Sequence, residues 1–181
     1  MWWYIYVSIP HLVYTVSYHY GDLIVKWIPF SVFMNACIYY RVMFYPLTTL
    51  YAYQTVFHTW NIITWFSPNP FLSIGLCLTL IGAYLNSIVY KKMGVEGVYY
   101  GCEMIKKCTY ITEFPYNCIN HPMYTAAILS VFGSGFLMGF DNNYAIRLNI
   151  WIPLGYLTML YMYSIMIENQ PSLVYKRIKN R

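Results

Sequence analysis

Residues 112–124 read TEFPYNCINHPMY and place Glu113, Asn117, Asn120 and His121 between two prolines and two tyrosines. An imidazole is the natural proton acceptor near pH 7, and a carboxylate can do the same work directly or through water. A second polar pair, Glu168 and Asn169, closes an apolar run in IENQP. Upstream, GVEGVYYG carries Gly94, Gly97 and Gly101 with Tyr99 and Tyr100. Glycines let a backbone turn sharply or approach a ligand, although at intervals of three and four they equally suit a helix-packing face. Tyr99, Tyr100, Tyr116 and Tyr124 offer ring faces that attract cations through the quadrupole. The five cysteines lack paired zinc-type spacing and are expected to pack.

The elements that position these groups follow from composition. Hydrophobic residues make up 59% of the 181-residue chain and charged residues 9%; an ordinary soluble domain carries roughly 25% charged residues. Too few charges remain to cover a water-facing surface. The eleven basic residues form no contiguous stripe, so the +5 balance predicts orientation in a lipid bilayer rather than a nucleic-acid partner. Charge-free runs mark the spans. The first covers 1–21, with neither a basic start nor a small-residue cleavage site, and is read as a retained span. The stretch 42–90 holds two more, broken at SPNP (67–70), and two others cover 123–140 and 148–167. The runs do not alternate, and lipid demands internal backbone hydrogen bonds, so the expected fold is all-α. It is a single membrane-embedded domain over 1–181, a bundle of about five transmembrane helices whose last two form a hairpin. This count puts Lys26, Arg41, Lys91, Lys92, Lys106, Lys107 and the four basic residues of the C-terminal tail on one, cytosolic face, with Arg147 opposite.

GAYLNSIVYKKMGVEGVYYG, TEFPYNCINHPMY and an apolar helix ending in IENQP, taken together, resemble the phospholipid N-methyltransferases, most closely the plant type. The resemblance covers roughly residues 80–175. The His-Pro-x-Tyr element of His121, Pro122 and Tyr124 is also similar to the wider superfamily that includes the isoprenylcysteine carboxyl methyltransferases. It implies an integral, multi-pass enzyme of the endoplasmic reticulum membrane. Its methyl donor would be S-adenosyl-L-methionine and its substrate phosphatidylethanolamine or the mono- and dimethyl derivatives, on the way to phosphatidylcholine.

The resemblance further implies cofactor contacts from Gly82, His121, Pro122, Tyr124, Glu168 and Asn169, and a glycine turn at Gly94, Gly97 and Gly101 offers backbone N–H groups for the cofactor's carboxylate. His121, Glu168 and Glu113 are its candidate proton acceptors, and Tyr99, Tyr100 and Tyr116 its candidate cage for a methylated ammonium. Leu80 stands where the family's Gly-x-Gly has its first glycine, and Asn169 where a Glu-Glu pair has its second carboxylate. Alternative readings are a prenylcysteine carboxyl methyltransferase and a non-catalytic scaffold descended from such enzymes. The lysine pairs at 91/92 and 106/107 are expected at the lipid surface, and Glu96 and Glu103 in solvated loops. His11, His19 and His58 are expected to pack or to face an interface without a recognisable partner.

Overall fold

The computed structural model describes residues 2–52, 70–105, 111–138 and 144–170. Every regular element among them is helical: α1 (Trp2–Ile24), α2 (Phe30–Ala52), α3 (Pro70–Val98), α4 (Gly101–Ile105), α5 (Pro122–Met138) and α6 (Tyr144–Glu168). Pro70–Val98 and Ile150–Glu168 are long and apolar enough to cross a membrane, and Pro122–Leu137 is apolar but shorter. Their apolar side chains face outward. Leu80 is 59% exposed and Met159 71% exposed. Contiguous apolar surface of that kind marks a lipid or protein contact rather than a water-facing wall. Hydroxyls that would be stranded on such helices bond back to their own backbone, as Thr79 does to Gly75 O (2.9 Å) and Thr158 to Leu154 O (2.9 Å).

α5 and α6 form an antiparallel hairpin. At one end the Phe136 and Trp151 rings meet edge-on with centroids 5.5 Å apart, and at the other His121 reaches Glu168. α5 also lies along α3 in a seam of small residues. A β-carbon added to Gly75 would come within 2.9 Å of Gly133 O, and one added to Gly82 within 2.6 Å of Ala126 O, so the two backbones touch where only glycine fits. α6 meets α1 differently, through polar side chains: Ser8 Oγ lies 2.7 Å from the Tyr156 hydroxyl, and His11 Nδ1 2.8 Å from Ser164 Oγ.

Three expectations are corrected. The second long helix begins at Phe30 rather than 42 and runs straight through Arg41, which sits within α2 and not in a loop. A charge need not end a helix when neighbouring side chains receive it, and here Arg41 donates to the Tyr90 hydroxyl at 3.0 Å. His11 has a partner in Ser164, and both are buried. Cys102 is disulfide-bonded rather than merely packed, while Cys37, Cys77 and Cys118 are free. The break at 67–69, Lys106, Lys107, His58 and the basic tail from 171 lie outside the described residues.

Candidate functional site

The site end of the bundle gathers the last turns of α1, α3 and α6 and the first turn of α5. The glycine segment after α3 makes this possible. Gly94 takes a left-handed conformation (φ 69°) inside α3 and kinks it, and Tyr100 follows with φ 67°. Left-handed backbone is costly for a bulky residue and persists only where packing enforces it. Here packing does enforce it, because the Tyr100 ring is buried against Tyr14 (centroids 5.7 Å) and Phe33 (6.0 Å). Gly101 closes the reversal, for a β-carbon there would lie 2.6 Å from Glu96 O. The chain then enters α4, which packs on α1 at Gly21, whose added β-carbon would stand 3.0 Å from the Glu103 carbonyl.

Above this floor lies a polar clasp. His121 Nδ1 is 2.6 Å from Glu168 Oε2, so the ring N–H donates to the carboxylate, and Nε2 is 3.1 Å from Asn169 Oδ1. The imidazole side chain keeps 19% of its surface exposed and the Glu168 side chain 38%. The clasp can therefore be reached from outside. Tyr124, one turn into α5, lies under the imidazole with ring centroids 6.3 Å apart and in turn meets Tyr14 (6.0 Å) and Tyr161 (6.4 Å). Tyr18 of α1 fixes the end of α6: its hydroxyl shares its one proton between Glu168 O at 3.0 Å and Gln170 O at 2.7 Å. Carbonyls at and just past the helix C-terminus are thereby satisfied.

The structure thus brings together His121, Glu168, Asn169 and Tyr124, with the buried Pro122 starting α5. Gly94, Gly97 and Gly101 lie in and beside the reversal that supports them. Gly82 sits in the α3–α5 seam, where an added β-carbon would stand 2.3 Å from Ser130 Oγ. Glu113 faces away from the clasp into an ion pair with Lys92, whose ammonium, through its hydrogen bond and then its charge, holds that carboxyl below the usual range. Tyr99 is buried with the Arg41 guanidinium over its ring. Tyr116 is half-buried, and burial, with the Glu168 charge adding to it, pushes its phenol up to about 12.

Glu103 is not a solvated loop residue. It opens α4, where burial raises its carboxyl above the usual range and the Glu168 charge pushes the same way. Tyr14 and Tyr18 escaped the sequence reading because 22 tyrosines hide any two of them. The usable signal was their spacing with Gly21, at i, i+4 and i+7, which puts all three on one face of α1.

Helices with apolar outer flanks, and a histidine–carboxylate–amide clasp joining the two ends of a helical hairpin, point to a membrane-associated protein with a small polar site at one end. A family profile described as Phospholipid methyltransferase matches residues 71–170. The chain belongs to the phospholipid methyltransferase family. It is also similar to the phosphatidyl-N-methylethanolamine N-methyltransferase of Arabidopsis thaliana, with 33% identity over 87 residues, 48% of this chain and 49% of that relative. The chain spans about half the length of the curated relative it matches. No solved structure matches it.

Proposed function

We propose that this protein N-methylates ethanolamine phospholipids, using S-adenosylmethionine as donor and phosphatidylethanolamine and its mono- and dimethyl derivatives as acceptors, as a multi-pass protein of the endoplasmic reticulum membrane. One observation carries the reading. The His-Pro-x-Tyr element and the carboxylate ending the last helix, 47 positions apart, form a single hydrogen-bonded clasp at an open edge of the bundle.

The headgroup amine is mostly protonated at neutral pH, much like a lysine ammonium of pKa about 10.4, and must lose a proton before it can act as a nucleophile. Glu168 holds the Nδ1–H and so orients the ring, leaving Nε2 as the proton-accepting nitrogen. Asn169 suits both charge states, because its amide presents oxygen to an Nε2–H and its NH₂ to a bare Nε2. The donor set fits a zwitterionic cofactor. Glu168 Oε1 would take an ammonium, and the exposed backbone at the Gly94 kink would take a carboxylate. When bound, S-adenosylmethionine supplies an electrophilic methyl group, and the protein's contribution to its transfer is orientation. Tyr124, with Tyr14 and Tyr100 beneath it, offers ring faces to the growing methylammonium.

The test uses purified protein in detergent micelles with phosphatidylethanolamine and methyl-labelled S-adenosylmethionine, followed by thin-layer separation of the lipids. Labelled lipid from wild type, and its loss in both His121→Ala and Glu168→Ala, is the expected result. Wild type that labels no lipid ends the proposal, and label persisting in both variants ends the site assignment.

A further inference from the structure

Resting on the lipid-methylation reading, we propose that Arg41 receives the phosphodiester of the acceptor phospholipid and so sets the headgroup upright beneath the clasp. Arg41 belongs to α2, outside the residues that the family profile matches. Its guanidinium is always charged and presents five N–H donors in a planar fork that suits phosphate oxygens. One of these donors, on Nη1, goes to the Tyr90 hydroxyl at 3.0 Å, and the fork lies over the Tyr99 ring at 4.9 Å from the centroid. Tyr100 and Tyr161 are its further polar neighbours. Among the described residues no carboxylate pairs with it. Phenols orient a guanidinium without neutralising it. A half-buried cation with no carboxylate beside it is expensive unless an anion joins it.

Depth makes that anion a phosphodiester. Arg41 lies within electrostatic reach of His11, and His11 is bonded to Ser164. Ser164 precedes Glu168 by one turn, about 6 Å of helix. The cation therefore lies on the interior side of the clasp, next to Tyr40, whose hydroxyl bonds Tyr6 O on α1, five positions before His11. An ethanolamine phospholipid lying in a bilayer has the same order, with its phosphate on the acyl side of its amine. With the phosphate at Arg41, the amine is directed outward toward His121. A carboxylate from the methyl donor shares the same anionic chemistry, and the two KM values below tell the sources apart.

The experiment compares wild type, Arg41→Lys and Arg41→Gln as full chains in dodecyl maltoside, keeping variants that elute as wild type does. Three quantities are read: the KM for dioleoylphosphatidylethanolamine in mixed micelles, the KM for S-adenosylmethionine, and, with no donor present, retention of that phospholipid against dioleoylglycerol by native mass spectrometry. For Arg41→Gln the lipid KM is expected to rise about tenfold, equivalent to roughly 1.4 kcal/mol, with the donor KM within about twofold. Arg41→Lys should fall between. Phospholipid retention should drop while dioleoylglycerol retention stays as in wild type. A donor KM that rises instead assigns Arg41 to the donor's carboxylate and overturns the proposal. Unchanged retention of both lipids reduces Arg41 to a packing residue and overturns it equally. The retention measurement needs no methyl transfer, so it decides Arg41 even if the wild type transfers nothing.

Discussion

The two halves of the clasp are held by opposite means. His121 arrives on α5, which is pressed to α3 along Gly75, Gly82 and Gly133 with backbone nearly touching backbone. Glu168 arrives on α6, which is tied to α1 through Ser8–Tyr156, His11–Ser164 and the two bonds from Tyr18. In lipid there is little hydrophobic drive between helices, so association rests on close van der Waals contact or on buried hydrogen bonds. This protein uses one for each side of its site. Such seams fail in different ways: the first when volume is added, the second when a polar atom is removed.

Gly82→Ala carries the largest expected effect. Its new methyl group would stand 2.6 Å from Ala126 O, a backbone atom that can move only if the helices part. We expect a loss of about 3 kcal/mol or more, read as a lower midpoint of thermal unfolding in detergent, together with a displaced His121. Gly82→Ala unfolding like wild type would mean that the seam is looser than the glycines imply.

Ser164→Ala comes next, because it strands the buried His11 ring nitrogen. Leaving a buried partner unsatisfied costs about 1–3 kcal/mol, and hydrogen bonds between membrane helices average only about 0.6, so a loss toward the low end, about 1–2 kcal/mol, is expected. Ser164→Thr, which keeps the hydroxyl, should recover part of it. If Ser164→Ala costs more than Gly82→Ala, the contrast between the seams is reversed.

Tyr18→Phe removes two hydrogen bonds that lie near solvent, and about 0.5–1 kcal/mol is expected. Its sharper readout is kinetic. Glu168 is freed to move rather than removed, so turnover should fall several-fold while the protein stays folded. Unaltered turnover would show that the α6 terminus holds its place without α1.

The smallest effect is expected at Glu113, which lies outside both seams. Lys92 lowers its carboxyl, so the ion pair is complete above the unfolded value of about 4.3 and is lost as the pH falls through the lower folded value. Glu113→Gln should leave turnover within about twofold at pH 7, as expected of an exposed pair. A loss of a hundredfold would make Glu113 the proton acceptor and move the chemistry away from the clasp.

Much of this architecture was legible in the sequence. The apolar runs at 123–140 and 148–167 correspond to α5 and α6 within a few residues, because apolarity is a property of consecutive positions. The family showed itself in three motifs that all fall beyond residue 81. Less legible was anything set by a distant neighbour. Arg41 reads from the sequence as a charge between two spans, and Tyr90 and Tyr99, 49 and 58 positions away, receive it within α2. Glu103 reads as solvated because nothing local shows that α4 lies on Gly21 of α1.

The amino-acid order alone determined that this chain forms apolar helices, that its polar chemistry is confined to a few short islands, and to which family those islands belong. These are matters of local composition and of motif, and no partner segment is needed to read them. Tertiary structure alone decided that His121 meets Glu168, that Gly82 faces Ser130 and that Arg41 sits among phenols. Each of those contacts joins helices well separated along the chain, and which side chains meet depends on how closely two backbones can approach, which no single helix specifies.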